Sequence, residues 1–158
     1  RSTAVKAYYE HFTEKYKGVA KWHKKLGKEA ITLLKITNVS GRQYAFPDVH
    51  RRENGSISHM TSIKNYPVQG FATGDVVPVV LMELEERLKP LQSCLVNTVH
   101  DSAVIDIHPK EKDYVIAIIH SMNEDLTRII AEAYDVEMNV PLLLEAKIGP
   151  NWLDTVDV

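Results

Sequence analysis

Residues 95–107 read LVNTVHDSAVIDI. Two runs of strand length, rich in Val and Ile, flank the polar pair His100-Asp101, a pattern that predicts a β-hairpin with this pair at its tip. A hairpin tip holds a side chain outside the sheet, so Asp101 is either an ordinary turn residue or a displayed carboxylate. The spacing alone favours the turn residue, because short turns select Asp for local reasons.

The composition is that of a globular protein. The 158 residues suit one domain, and 44% hydrophobic and 25% charged residues are ordinary values for such a domain. No apolar run approaches the roughly 20 residues that span a bilayer, and no signal peptide is recognised, so we expect a cytoplasmic protein. The chain begins with Arg1 instead of Met, which predicts a start inside a longer polypeptide or behind a processing boundary. Cys94 is the single cysteine, which excludes an internal disulfide and predicts a buried thiol.

The charges are unevenly distributed, although their sum is −2. Most basic residues lie between Lys6 and Arg52, and most acidic residues follow Glu83. Such an asymmetry can mark a half that binds polyanions. The alternative is a basic helix face that serves only for solubility.

The first half of the chain shows a helical pattern, then a short strand pattern and then an irregular stretch. Apolar residues three or four apart over residues 2–26 predict one amphipathic helix, or two with a break at Gly18. Residues 31–36 and 43–46 predict a small hairpin, and residues 50–60 predict a surface loop.

The second half carries two stronger helical patterns. Residues 76–88 predict a helix with Pro78 either in its first turn or at a kink, and residues 111–133 predict a long helix packed on the sheet. Residues 141–148 predict a strand.

Asn65 and Gln69 stand four residues apart around Pro67. Pro67 suits a first helical turn, and the two amides share one face if that turn already forms at Asn65. Paired amides suit the acceptors of the DNA minor groove, which are nearly the same for every base pair. Capping or turn formation by Asn65 is the alternative.

Other site types are not supported. The seven histidines show no zinc-site spacing with cysteine partners. Neither a Walker-type phosphate loop nor a Gly-x-Ser-x-Gly elbow is present in the sequence.

Five segments in order resemble the family A DNA polymerases, which include bacterial DNA polymerase I and its phage relatives. The segments are residues 9–19, residues 41–48 (GRQYAFPD), residues 65–70 (NYPVQG), residues 95–107, and residues 140–145 (VPLLLE) with Asn151-Trp152. Each match alone is weak, but their order over nearly the whole chain is specific.

The resemblance implies an α+β fold: an antiparallel palm sheet with a catalytic β-hairpin, packed by long helices, plus an N-terminal helical fingers segment. Residues 1–30 would form the rear of the fingers, and residues 31–158 the C-terminal half of the palm. The polymerase domain would be incomplete.

The resemblance also implies roles for five residues. Asp101 matches the aspartate that binds the catalytic metals, and His100 matches the residue beside the primer terminus. Asn65 and Gln69 match amides that contact the minor groove of primer–template DNA, and Arg42 matches a position near the DNA. The implied reaction transfers nucleotides from deoxynucleoside triphosphates in DNA replication or repair, with two Mg²⁺ ions that prefer oxygen ligands.

The chain departs from the family pattern in several places. Ser102 stands where the family usually has Glu, which indicates a phage-type member, and Thr61 stands where bacterial members have Arg. The spacing around Gly74-Asp75 is one residue longer.

The family's first metal aspartate, in an Asp-Tyr-Ser-x-x-Glu motif, and its nucleotide-binding fingers helix do not occur in this sequence. We therefore expect a chain inactive alone, completed by an upstream segment or a separate subunit. The alternative is a non-catalytic DNA-binding or structural subunit that retains the palm fold.

Overall fold

The computed structural model describes residues 3–158, so the first residue of the helix predicted over residues 2–26 lies outside the described part. The chain divides into two compact units, unit 1 up to Gly70 and unit 2 from Phe71 to Val158. Helices and two-stranded antiparallel sheets together make an α+β protein.

From Thr3 onward, unit 1 contains three helices and one hairpin. Its elements are α1 (Thr3–Lys15), α2 (Lys17–Leu33), β1 (Lys35–Thr37), β2 (Gln43–Ala45) and α3 (Met60–Gln69). Two N-terminal helices are present, as predicted, but they meet at Tyr16 and not at Gly18.

The strand prediction for residues 31–36 is wrong in its first half. Helix α2 continues to Leu33 and ends at Leu34, whose φ of 53° is left-handed. Leu26 and Ala30 on this helix are buried, so the helix is held by tertiary packing that outweighs the strand preference of the residues that follow.

The predicted small hairpin is present. Ile36 pairs with Tyr44 and Thr37 with Gln43. The Asn38 amide donates to the Arg42 carbonyl at 2.9 Å, and the turn passes through Gly41 with a φ of 85°, which favours glycine. Residues 50–60 form the predicted irregular loop, with one bridge between Arg51 and Ile57.

The core of unit 1 is formed by α2, β1, α3 and the segment after β2. Its buried side chains are Leu26, Ala30, Ile36, Phe46, Val49 and Ile63. Tyr44 and Met60 pack against them.

Unit 2 places two helices beside a hairpin. A π-helical segment (Gly70–Val76) leads into α4 (Val77–Leu88), followed by β3 (Cys94–Val99), β4 (Ser102–Asp106), α5 (Lys112–Tyr134), β5 (Lys147–Ile148) and β6 (Val156–Asp157). Pro78 lies in the first turn of α4, one of the two predicted positions, and α5 confirms the long helix.

The core of unit 2 lies between α4, α5 and the β3–β4 hairpin. Leu84, Leu88, Val115 and Met122 are buried there. Leu95, Ile105 and Ile107 pack against them from the hairpin and the residue that follows it. The hairpin is thus held by the two long helices, as its apolar pattern predicts.

The predicted strand at residues 141–148 is wrong except for Lys147–Ile148, which pair with β6. Residues before them run along α5 instead. The Leu144 amide donates to Asn123 Oδ1 at 2.6 Å, and Asn123 Nδ2 donates to the Leu144 carbonyl at 3.0 Å. Side chains of the helix thus replace a neighbouring strand as hydrogen-bond partners.

The predicted burial of Cys94 is wrong, because its side chain is exposed. Cys94 begins β3, and its neighbour Leu95 packs against the core. Successive side chains of a strand face opposite sides, which leaves Cys94 on the outer side.

Among residues 3–158, we find no helix that combines the length and apolar character needed to cross a membrane.

Candidate functional site

The β3–β4 hairpin carries His100 and Asp101 as its two-residue loop. Val99 pairs with Ser102, and Thr98 pairs with Ala103. His100 adopts a φ of 57°, in the left-handed region that tight hairpin loops use and that His tolerates better than most residues. The structure confirms the hairpin and the place of this pair at its tip.

The two tip residues are available to a ligand. His100 and Asp101 are both exposed, and neither forms a hydrogen bond or ion pair with another residue in the described range 3–158. Ser102 has a local partner, since its hydroxyl donates to the Val99 carbonyl at 2.8 Å. Ser102 therefore closes the turn, while the carboxylate of Asp101 faces solvent.

A β-bulge lies within the same hairpin. Leu95 pairs with Ile105, but the next pair is Asn97 with Val104, so Val96 has no partner in the ladder. A bulge increases the local twist of a strand pair and is common beside functional residues. The bulge therefore contributes to the direction in which the tip is presented.

The base of the hairpin is held by Glu111, which precedes α5. Its carboxylate accepts the backbone amides of Gln92 at 3.0 Å and of Ser93 at 2.8 Å, and the Ser93 hydroxyl at 2.7 Å. The Ser93 oxygen also accepts the His108 amide at 3.0 Å. The chain entering β3 and the chain leaving β4 are thus joined through one carboxylate.

These contacts lower the pKa of Glu111 below its usual value, with the Gln92 amide as the largest cause and the Ser93 hydroxyl next. Glu111 is not among the residues predicted from the sequence. No local pattern could have found it, because 18 residues separate it from Ser93.

The residues present fit part of a magnesium site. Asp101 offers one carboxylate, and Mg²⁺ is usually held by one or two carboxylates with waters and substrate phosphates. In the described chain, residues 3–158, no three His, Cys, Asp or Glu side chains lie close enough together to hold a metal ion. A two-ion site would need a further carboxylate beyond Asp101.

An apolar cavity of about 500 Å³ adjoins the hairpin in unit 2. Its walls include Val80 and Leu84 from α4, Ile105 from β4 and Ile119 from α5, with Asp101 among the lining residues. Such walls suit protein side chains better than a triphosphate, because burying a charge without a partner is costly.

Asn65 and Gln69 both lie on α3 and are exposed. Residues four apart share a helix face, so the predicted alignment of the two amides is present. Pro67 is not in the first turn, contrary to the prediction, because the helix begins seven residues earlier at Met60. Ile63 lies in the first half of α3 and is fully buried. Its packing in the core explains why the helix starts before Pro67.

Arg42 is exposed at the start of the chain segment that becomes β2. The β1–β2 hairpin packs on α3 through aromatic rings: Tyr44 and Tyr66 have centroids 5.4 Å apart, and Phe46 and Tyr66 have centroids 5.8 Å apart. Arg42, Asn65 and Gln69 therefore belong to one packed body, unit 1. His100 and Asp101 belong to unit 2.

The two units differ strongly in charge. The sequence of residues 1–70 has 13 Lys and Arg against five Asp and Glu, a net charge of +8. Residues 71–158 have six against 16, a net charge of −10, which together give the −2 of the chain. Unit 1, which carries the three predicted DNA contacts, is thus the basic part.

Comparison with known proteins identifies the family. The sequence profile of DNA polymerase family A matches residues 1–154. The chain therefore belongs to DNA polymerase family A.

Its relatives include bacterial DNA polymerases I. The chain is 25% identical over 154 residues to DNA polymerase I of Lactococcus lactis, covering 95% of this chain and 16% of that protein. It is 27% identical over 151 residues to the thermostable DNA polymerase I of Thermus filiformis, covering 95% of this chain and 17% of that protein. Identity reaches 32% over 93 residues with DNA polymerase I of Caldicellulosiruptor bescii, covering 58% and 10%. The chain thus spans about a sixth of the first two relatives.

Proposed function

We propose that this chain is the C-terminal part of a DNA-directed DNA polymerase and that it supplies one metal-binding aspartate and a set of primer–template contacts. The observation that carries the proposal is the exposed carboxylate of Asp101, without a partner among the described residues, at the tip of a two-residue hairpin. This position in a family A polymerase chain suits a metal ligand better than a turn residue.

Asp101 and His100 have distinct roles in this proposal. Asp101 provides a carboxylate ligand to Mg²⁺, of which the complete enzyme holds two ions. When bound, Mg²⁺ activates the primer 3′-hydroxyl and neutralises the triphosphate of the incoming nucleotide. His100, adjacent on the tip, contacts the primer terminus and orients it.

Unit 1 contacts the DNA. The amides of Asn65 and Gln69 read minor-groove acceptors, which allows any base pair to be accepted. Arg42 lies on the hairpin packed against the same helix and contacts the backbone of the DNA. The net charge of +8 over residues 1–70 supports this role, because neutralising phosphates contributes much of DNA affinity.

The remaining parts of the enzyme come from elsewhere. An upstream polymerase segment or a separate subunit carries the first metal aspartate and the nucleotide-binding fingers helix, so this chain alone is inactive. Within this assembly we assign residues 1–30 to the rear of the fingers and residues 31–158 to the C-terminal half of the palm. The proposed location is the cytoplasm of a bacterial or phage-infected cell.

Primer extension tests the role of Asp101. The chain is combined with an upstream family A segment that contains the Asp-Tyr-Ser-x-x-Glu motif, and Mg²⁺-dependent incorporation of deoxynucleotides is measured. Asp101→Asn preserves the shape of the side chain but removes its charge, so we expect incorporation to fall by at least about 100-fold.

Asp106→Asn is the matched control, because Asp106 is exposed at the end of β4, in the same hairpin but away from the tip. It should leave incorporation unchanged. Full incorporation by the Asp101→Asn protein would contradict the metal-ligand role.

A second function is favoured by one observation. Ser102 replaces the family's Glu, and its hydroxyl is used within the turn. A non-catalytic DNA-binding or structural subunit that retains the palm fold would tolerate this replacement. Such a subunit would bind primer–template DNA and support no incorporation when combined with the upstream segment.

A further inference from the structure

The ring of Tyr44 connects strand β2 with helix α3. Tyr44 packs against the buried core of unit 1, and its ring contacts that of Tyr66 with centroids 5.4 Å apart. Tyr66 follows Asn65 directly on α3. This aromatic contact therefore joins the β1–β2 hairpin, which carries Arg42, to the helix that carries the two amides.

The hydroxyl of the same tyrosine lies against the backbone of Gly70. A Cβ atom placed on Gly70 would lie 1.7 Å from Tyr44 Oη and 2.7 Å from its Cζ. Both distances are far shorter than any non-bonded contact, so only glycine permits this approach. Gly70 directly follows Gln69, and the contact therefore lies at the end of the helix where the second amide is presented.

The Tyr44 hydroxyl is buried and has no hydrogen-bond partner among the described residues. Burying a polar group in this way costs free energy. Tyr44 is therefore held in place by the packing of its ring and not by a hydrogen bond. A phenylalanine should fill the same position.

We infer that the Tyr44–Gly70 contact holds the proposed DNA contacts of unit 1 in place before DNA binds. These contacts are Arg42, Asn65 and Gln69, and Tyr44 is a positioning residue for the two amides. The inference rests on the proposed function, since it assumes that the amides contact DNA. Tyr44 itself touches no DNA. It sets the distance between the hairpin that carries Arg42 and the exposed face of α3.

The proposed role of Tyr44 concerns the distances and angles of the hydrogen bonds that the two amides form with DNA. A hydrogen bond to a base edge weakens steeply once its distance or angle departs from the preferred range. A displacement of α3 by about 1 Å is enough to lose such contacts. Contacts between arginine and phosphate tolerate a displacement better, because their Coulomb attraction falls off slowly with distance.

The test compares two primer–template duplexes that differ only in the minor groove. The second duplex has 3-deazaadenine in place of adenine, which removes the N3 acceptors. Dissociation constants of the full chain are measured for both duplexes by fluorescence anisotropy. The value for the modified duplex divided by the value for the unmodified duplex reports the amide contacts. For the wild-type chain we expect a ratio of about 10 in favour of the unmodified duplex.

Three single variants and one double variant separate positioning from general stability. Tyr44→Val and Gly70→Ala should each bring the ratio close to 1, whereas Tyr44→Phe should keep the wild-type ratio. The double variant Tyr44→Val/Gly70→Ala should lose no more than either single variant, because both changes break one contact. All measurements are made well below the unfolding midpoint of each variant, so loss of stability alone would not change the ratio.

Either of two results would overturn the inference: a Tyr44→Val protein that keeps the wild-type ratio, or a Tyr44→Phe protein that loses as much as Tyr44→Val. If Gly70→Ala does not fold, the two Tyr44 variants decide the question.

A wild-type ratio of 1 has a different meaning, because it overturns the proposed amide contacts themselves. The Tyr44–Gly70 contact is then tested without DNA by chemical unfolding. Non-additive losses in the double variant would establish the contact, and additive losses would refute it.

Discussion

Asp101 shows how little a single residue type says about its role. In the hairpin pattern alone, Asp is an ordinary turn residue. The structure leaves its side chain exposed, while the adjacent Ser102 forms the hydrogen bond that closes the turn. The local task of the turn is thus performed by Ser102, which leaves the carboxylate of Asp101 for the proposed metal.

Glu111 is the residue whose removal should most directly loosen the hairpin. We expect Glu111→Gln to lower the denaturant midpoint at pH 7, because a neutral amide accepts the Gln92 and Ser93 groups more weakly than a carboxylate. The midpoint is measured by urea unfolding followed by circular dichroism. The control is Glu137→Gln, an exposed residue of the same unit, which should not change the midpoint.

The same variant should alter the dependence of stability on pH. The pKa of Glu111 is lowered in the folded state, so its contribution is present above its usual value of 4.5 and is lost as the pH falls through the folded value. The difference between wild type and Glu111→Gln should therefore shrink below pH 4.5. A difference that stays constant to pH 3 would refute this assignment.

Helices α4 and α5 are joined by a polar network and by an apolar core. Arg87 donates to Glu83 at 2.7 Å, to Ser121 at 3.0 Å and to Asp125 at 3.0 Å. The pKa of Asp125 is lowered by Arg128 first and by Arg87 second. These side chains are half-buried and still reached by water, where ion pairs contribute little to stability, so the apolar side of α5 should dominate.

Met122 tests this comparison on α5. Its side chain is fully buried between the helices and the hairpin, and Met122→Ala should lower the free energy of unfolding by about 2–5 kcal/mol. Met82→Ala is the matched control on α4, where 70% of the residue is exposed, and it should change stability by less than about 0.5 kcal/mol. Equal losses in the two variants would contradict the proposed core.

The π-helical segment Gly70–Val76 includes Gly74-Asp75, where the resemblance implies a spacing one residue longer than in bacterial members. A π-turn takes more residues than an α-turn, so an additional residue can be accommodated without a loop. The Tyr134 hydroxyl donates to the Asp75 carbonyl at 2.7 Å, and Asp75 is buried. Helix α5 thus supports this segment.

Across the whole chain, charge is separated into a basic and an acidic unit. A net charge of −2 would predict weak attraction for DNA, but residues 1–70 carry +8. We expect the chain to bind primer–template DNA with an affinity that falls as salt rises. The dissociation constant measured at several KCl concentrations gives the slope.

Arg42→Ala should reduce the magnitude of that logarithmic slope by about 0.9, the value for one phosphate contact. Arg128→Ala is the control, since Arg128 is exposed in unit 2 and paired with Asp125 and Glu132. An unchanged slope for Arg42→Ala would remove Arg42 from the interface.

Much of the architecture follows from local patterns. Periodicity predicted both N-terminal helices, α4 and α5, and runs of strand-forming residues around turn residues predicted the β1–β2 and β3–β4 hairpins. The candidate site followed partly from pattern and partly from family resemblance: the alignment of Asn65 with Gln69 is a matter of helical spacing, whereas the roles came from ordered motifs. These features depend on residues close together in sequence.

The remaining features depend on contacts between residues far apart. Helix α2 continues beyond its predicted end because its side chains reach a buried core. Residues 141–146 form no strand, because Asn123 and Thr127 of α5 bind the backbone of Leu144 and Leu142. Glu111 reaches Ser93 across 18 residues, and Tyr44 meets Gly70 across 26. Neither pairing leaves a local signature, since each arises only when separate segments pack together and compete for the same partners.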